Sequence, residues 1–408
     1  MEWSSITIPE AFLEKGVTLE QWTDWRWQLS HAIRNEHSLA EFIAVNQKTQ
    51  RDIQTVITNE YERGKDSMLI TPHLLSLIDN TDPRDPIAIQ HLPHTNELRA
   101  DRFIYENVWE KDEDFLDGGN RMLQQKYPDI IVIRITNICQ SFCRFCFEKE
   151  RTLRRNIPTL AGSEQFEKAI EVIKQKKHVR QILISGGDPS ILPDEILEQR
   201  LRSILKIPQI KTIRIGTRTL LHNPYRVTSD YALMLGNLQQ EYSQDANKPM
   251  KRITMGTHFN HPNEISPATT VAIRRLQSEG IEVYNQTVLL KNINDNTKTL
   301  AELFRKLLNE NINLHYLFHA MPVPRTTHFR TSVRKGQELI QNLREMKEFR
   351  AQLPRYVIPH ETGKQTAEIM SKTFFETKIR KDNQEYPVIR FKSDITNKWE
   401  IYPDGYDE

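Results

Sequence analysis

All three cysteines of this 408-residue chain, Cys139, Cys143 and Cys146, fall within eight positions, spaced C-x3-C-x2-C. The apolar run Ile130-Ile131-Val132-Ile133, continued by Arg134-Ile135-Thr136, leads into them and reads as a buried strand. The thiols therefore belong on a loop just past a strand's C-terminal end, where sheet enzymes keep their ligands.

Three thiolates can hold three irons of a [4Fe–4S] cluster and leave the fourth iron open. Electron-transfer clusters use four cysteines, so an open iron points to a ligand that the iron itself binds. The competing reading is a Cys3His zinc site, with His258, His261 or His328 as the fourth ligand. A disulfide framework fits poorly, because the cysteine count is odd and the N-terminus shows no signal-peptide pattern.

A second stretch bears on the choice. Ile182-Leu183-Ile184-Ser185 reads as another strand and runs into Gly186-Gly187-Asp188-Pro189. Glycines let backbone approach a neighbour closely, although a lone Gly-Gly-Asp is usually only a turn. Here it follows a strand, about forty residues beyond the cysteines. Together the two stretches resemble the radical S-adenosylmethionine (SAM) enzymes. The resemblance implies that SAM chelates the open iron and is cleaved to a 5′-deoxyadenosyl radical. It also implies that Gly186, Gly187 and Asp188 lie around the SAM amino group.

Composition narrows the setting. Lys and Arg total 56 against 54 Asp and Glu, a formal net charge of +2, which gives no electrostatic case for nucleic acid or a charged membrane. No apolar run approaches the roughly 20 residues that cross a bilayer, and free thiols suit a reducing compartment. The expectation is a cytoplasmic protein with no membrane or nucleic-acid partner.

Along the chain, residues 1–115 read as a helical N-terminal region. Trp22 to Leu29 open an amphipathic helix whose tryptophans belong to the core. Residues 66–80 suggest a second helix, and Asp82-Pro83-Arg84-Asp85-Pro86 a breaker-rich link. From 116 to 335 strands alternate with helices. Strands are expected near 130–136, 181–185, 211–216, 252–258, 282–290 and 313–319, and helices near 163–176, 194–205, 267–279 and 298–310. Six such units imply parallel strands with right-handed crossovers. The fold class is α/β, a partial (β/α)6 barrel with its chemistry at the C-terminal ends of the strands. Residues 336–408 form a C-terminal region: a helix at 335–350, a short strand at Tyr356–Pro359, and a hairpin over 386–403 turning near Asp394–Asn397.

Further stretches resemble the lysine 2,3-aminomutase family within the radical SAM enzymes. They are Asp24-Trp25-Arg26-Trp27-Gln28-Leu29, Leu77-Ile78-Asp79 with the Asp-Pro-Arg-Asp-Pro link, Ile213-Arg214-Ile215-Gly216-Thr217-Arg218-Thr219, Thr257-His258-Phe259-Asn260-His261-Pro262-Asn263-Glu264, Asn285-Gln286-Thr287-Val288-Leu289-Leu290 and His328-Phe329-Arg330-Thr331. Their order holds from about residue 20 to the C-terminal hairpin. The resemblance implies an isomerase using pyridoxal 5′-phosphate (PLP) beside SAM, with His258 and Gln286 near SAM. PLP needs a lysine, and Lys364, in a loop after Tyr356-Val357-Ile358-Pro359, matches the family's Schiff-base lysine. Lys126 falls where the family has a basic residue near PLP, and Arg226 is a further candidate for its phosphate. The resemblance also implies an external reductant such as flavodoxin or ferredoxin, and a homo-oligomer.

The departures concern the substrate. Two aspartates that hold the lysine ammonium in the family are replaced by Met321 and, allowing a one-residue gap, Ile358. A buried ammonium without a carboxylate is costly, so free lysine is not the expected substrate. Glu148 stands where the family grips the substrate carboxylate with an arginine. Lys149, Arg151, Arg154 or Arg155 are the nearby substitutes. The expected reaction is 1,2-amino migration on an amino acid other than lysine. Decarboxylation, deamination or desaturation of a related amino acid or amine, modification of a protein-borne lysine, and a non-catalytic metal-binding regulator are the alternatives.

Overall fold

The computed structural model describes residues 3, 6–99, 114–117, 121–152, 162–243, 250–349, 351–381 and 383–405, without the side chains of 150 and 151. Nine strands form one sheet in chain order: β1 (Leu123–Tyr127), β2 (Ile130–Thr136), β3 (Gln181–Gly186), β4 (Thr212–Gly216), β5 (Arg252–Thr257), β6 (Glu282–Leu289), β7 (Asn313–His319), β8 (Arg355–His360) and β9 (Gly363–Thr366). From β2 to β8 every pairing is parallel, and β1 and β9 add antiparallel edges. The six anticipated strands are β2 to β7, with ends shifted by a residue or so. β1, β8 and β9 extend the sheet beyond the six-stranded expectation.

Alternation along the strands builds two different surfaces. Ile131, Ile133 and Ile135, Ile182 and Ile184, Ile213 and Ile215, Ile253 and Met255 point outward and are buried against the surrounding helices. Those helices include Ser163–Gln175, Asp194–Leu205, Pro267–Ser278 and Thr297–Asn309, all close to their expected bounds. The residues between point inward and are largely polar. Arg134, Arg214, Tyr284, Tyr316 and Lys364 all contact side chains from other strands across the interior.

The two edges meet without a ladder. The backbone N–H of Lys364 donates to Tyr127 Oη at 2.7 Å, and Lys126 Nζ donates to the Glu361 carbonyl at 3.1 Å. Gly363 has φ +121°, and a Cβ there would collide with Ile395 and the Tyr127 hydroxyl. Side chains of β1 thus close the barrel on β9.

The N-terminal region corrects two expectations. Trp22 and Trp25 are buried, as anticipated, but on two short helices, Leu19–Thr23 and Trp25–Ser30. Asp24 breaks the run because its carboxylate accepts from the Arg26 N–H and caps the second helix. Over 66–80 only Pro72–Ser76 is helical. Proline sits at its first turn, and Ile70 before it exchanges backbone hydrogen bonds with Ile33. The longest N-terminal helix is Gln47–Glu62. The Asp-Pro-Arg-Asp-Pro link is a helix start, with Asp85 capping Pro86–His91 through the Ile87 and Ala88 N–H groups.

At the other end, a separate sheet contains the expected hairpin, β11 (Gln384–Lys392) and β12 (Trp399–Pro403), with β10 (Phe374–Lys381) added to it. One hydrophobic core runs from Phe12 to Tyr402. Among the described residues no helix is long and apolar enough to cross a membrane.

Candidate active site

The cysteine loop follows β2 and is fastened from outside by the N-terminal region. Phe142 N donates to the Leu69 carbonyl at 2.9 Å, Arg144 N to the Gln90 carbonyl at 2.8 Å, and Thr71 N to Ser141 Oγ at 3.1 Å. The buried Arg144 guanidinium grips Glu97 with two bonds, 2.8 and 2.5 Å. Burial alone would push the Glu97 carboxyl up, but Arg144 and Lys149 outweigh it and hold it down to about 2. Lys149 also donates to the carbonyls of Arg144 and Arg325. It therefore serves this anchor and is not available as a substitute for the missing carboxylate grip.

Burial pushes all three thiols up, Cys146 to about 12, and the neighbouring sulfurs push Cys139 and Cys146 further. Three crowded thiolates are unstable there alone and suit a metal centre that binds them deprotonated. None of the three histidines anticipated for a zinc site joins a cysteine in a metal-holding group among the described residues. His261 Nδ1 caps the Asn263 N–H, and burial lowers His328 to about 4, within the field of Glu97 and Lys149. His91 and His222 do join one, with Cys143, and His222 Nε2 lies 3.8 Å from its sulfur.

The Gly-Gly-Asp loop at the end of β3 clamps this structure. Gly187 N and Asp188 N donate to the carbonyls of Thr136 and Ile138, at 2.7 and 2.8 Å. A Cβ at Gly186 or Gly187 would run into the same carbonyls, and Gly186 has φ +126°. The glycines are required here by the cysteine loop's own backbone. Asp188 is buried and accepts from Thr217 Oγ1 (2.6 Å), Ser190 N (3.0 Å) and Arg218 N (3.1 Å), which ties β3 to the end of β4. Its carboxylate thus faces protein.

Arg218, just past β4, reaches the sulfurs directly. Its Nη1 lies 2.8 Å from Cys143 Sγ and its Nε donates to the His258 carbonyl at 3.0 Å. His258 follows β5 at the same end of the barrel; burial, then Arg218, lowers its ring to about 3, so it is neutral. Gln286 lies on the inner face of β6, two residues beyond Tyr284.

Deeper in the barrel, Lys364 Nζ sits over the Tyr127 ring at 4.9 Å and the Tyr316 ring at 5.5 Å. The residue keeps exposed surface, yet desolvation, then Arg214 and Lys126, lower its amine to about 8. Lys126 stands beside it on β1, paired with Asp114 at 3.4 Å. Arg214 reaches the Tyr284 hydroxyl, and its guanidinium lies 4.7 Å over that ring. Sequence reasoning gave no role to Arg214 or Tyr127. Arg214, the one charged residue inside Ile213–Ile215, was the legible signal.

Arg226 lies elsewhere. It is fully buried between the Trp25 and Tyr231 rings and donates to the carbonyls of Ser190 and Leu192 and to Asp194. It has no surface to offer a phosphate.

The substrate end also differs from expectation. Ile358 points outward into the core and is fully buried. The inward residue is Val357, which pairs with Phe318 and lies on the Lys364 face of the β8–β9 hairpin. Val357 and Ile358 are both apolar, so neither offers a carboxylate. Glu148 does not stand as a bare charge, because Arg134 on β2 pairs with it at 2.9 Å and also donates to Gln124. Arg154, Arg155 and the Arg151 side chain lie outside the described residues.

The radical SAM superfamily model matches residues 133–304. The chain is 33% identical over 332 residues to the L-lysine 2,3-aminomutase of Clostridium subterminale, covering 81% of this chain and 74% of that one. It is 33% identical over 323 residues to a putative L-lysine 2,3-aminomutase of Aquifex aeolicus, covering 79% and 81%. To the glutamate 2,3-aminomutase of Clostridioides difficile it is 31% identical over 344 residues, covering 84% and 75%.

Proposed function

This chain belongs to the radical SAM aminomutase family that includes the lysine and glutamate 2,3-aminomutases, and from that premise we propose that it moves an amino group between adjacent carbons of an amino acid whose side chain is uncharged. The observation that carries the substrate class is the inward pairing of Val357 with Phe318 on the wall that bears Lys364. The named relatives act on a cationic and an anionic side chain. An apolar wall satisfies neither.

When bound, the cluster and SAM supply a radical that removes hydrogen from the substrate, and PLP supplies the π-system across which nitrogen moves. Cys139, Cys143 and Cys146 hold the cluster, and Gly186, Gly187, Asp188, His258 and Gln286 shape the SAM end. Lys364 is the residue that carries PLP. An amine attacks a carbonyl only when neutral, and desolvation with two nearby cations favours the neutral amine. Lys126 and Arg214 stand on the inner wall beside Lys364 and would hold the phosphate. Arg134, oriented by Glu148 and Gln124, is the cation we assign to the substrate carboxylate.

The test is anaerobic reconstitution followed by borohydride. We expect iron–sulfur absorption, a PLP band, and pyridoxyl fixed on Lys364, with Lys364→Ala keeping its iron but losing isomerisation. Incubation with a panel of amino acids should give a β-amino isomer from one with an uncharged side chain. Turnover of free lysine would overturn the substrate class, and full activity of Lys364→Ala would remove PLP from the reaction.

A further inference from the structure

We infer that Arg218 is a positioning residue that raises the reduction potential of the cluster held by the three cysteines, by donating an N–H···S hydrogen bond to Cys143. The inference rests on the cluster reading and is independent of PLP and of the substrate.

The guanidinium is held on three sides. Nη1 meets Cys143 Sγ at 2.8 Å, Nε meets the His258 carbonyl at 3.0 Å, and Nη2 meets Glu264 Oε1 at 3.3 Å. Glu264 is fully buried and is itself fixed, accepting from Gln90 Nε2 and from Asn260 N, each at 2.6 Å. Gln90 accepts from the Arg144 N–H within the cysteine loop and from Asn260 Nδ2. A single chain of hydrogen bonds therefore runs from the helix Pro86–His91 through Glu264 and Arg218 to the sulfur. The Phe145 ring lies 5.3 Å from the guanidinium carbon. His91, His222 and His258 surround the same space, and burial keeps their rings uncharged.

Reduction adds one electron to the oxidised cluster, and the added negative charge spreads onto the thiolates. A donor and a positive charge fixed at one thiolate favour the reduced form more than the oxidised one. The effect is strong here because little water screens it. Glu264 opposes the field of Arg218 but stands behind it, so the two should act on the potential with opposite signs.

The holoenzyme is reconstituted anaerobically without SAM. It is titrated with dithionite, which supplies the single electron, while the reduced cluster is followed by electron paramagnetic resonance. For Arg218→Met we expect a fall in potential. Where wild type is half reduced, the ratio of reduced to oxidised cluster should drop about tenfold, equivalent to about 59 mV for a one-electron couple. Arg218→Lys should fall less, and Glu264→Gln should rise. An unchanged SAM-free potential in Arg218→Met or Arg218→Lys at full iron content overturns the inference, and would also be the result if Arg218 served SAM alone. A fall in Glu264→Gln overturns it too, since loosening of the site, unlike a field effect, moves both variants the same way. If Arg218→Met does not load iron, Arg218→Lys and Glu264→Gln decide. Absence of any reducible signal in wild type would instead sink the cluster reading.

Discussion

The most informative single residue is Lys364. With its amine lowered to about 8, half of it is uncharged at pH 8, against about one in three hundred for an ordinary lysine. Capture of PLP, measured by borohydride fixation and peptide mapping, should therefore rise with pH and level off above about 8 to 9. Lys126→Met removes a cation that lowers this group, so the rise should move to higher pH. A profile still climbing at pH 10 in wild type would contradict the desolvated setting. This lysine was singled out by its resemblance to the family's lysine position after a short strand. Its neighbours were not, because Arg214 and Tyr127 are distant in sequence and converge only when the barrel closes.

At the scale of the strand, parity decides what a side chain meets. Val357 and Ile358 are neighbours in sequence but lie on opposite faces of β8, one toward the cavity and one in the core. A carboxylate in the core has no partner, so Ile358→Asp should destabilise by about 4 kcal/mol or more. Val357→Asp, on the Lys364 face of the hairpin, should cost clearly less, as urea midpoints would show. The double variant Met321→Asp/Val357→Asp should gain binding of lysine, read by calorimetry. Equal destabilisation by the two single aspartates would refute the assigned faces. Six strands were readable because apolar residues recur in short runs inside helix–strand repeats, as alternating isoleucines in β2, β3 and β4. β1 and β9 were not, since Leu-Gln-Gln-Lys-Tyr and Gly-Lys-Gln-Thr are polar and become strands only through their partners. The run over 66–80 misled for a related reason: its apolar residues serve a bridge to Ile33 and the floor of the cysteine loop.

For the molecule as a whole, the N-terminal region fastens the cysteine loop from outside. Glu97 joins it to Arg144 within the cysteine loop. Because its carboxyl is lowered in the folded state, that stabilisation is complete above the unfolded value near 4.5 and is lost as pH falls toward about 2. Glu97→Gln leaves Arg144 buried with a weaker partner and should cost about 3–5 kcal/mol. It should also flatten the acid limb of the stability curve and lower iron content. An unchanged acid limb would show that Glu97 does not carry it.

The barrel's last joint has a mechanical meaning. A hoop parts where its fastening is thinnest, and between β9 and β1 it is fastened by a tyrosine hydroxyl and a lysine ammonium where the other joints have a full ladder. The amide closing that joint belongs to Lys364, the residue assigned to carry PLP. Strain on the wall is thus felt first at the reacting end, and hydrogen exchange at the Lys364 amide should outpace that of β8 by orders of magnitude. Loading the lysine should tighten the hoop, so the cofactor would act as a rivet as well as a reagent.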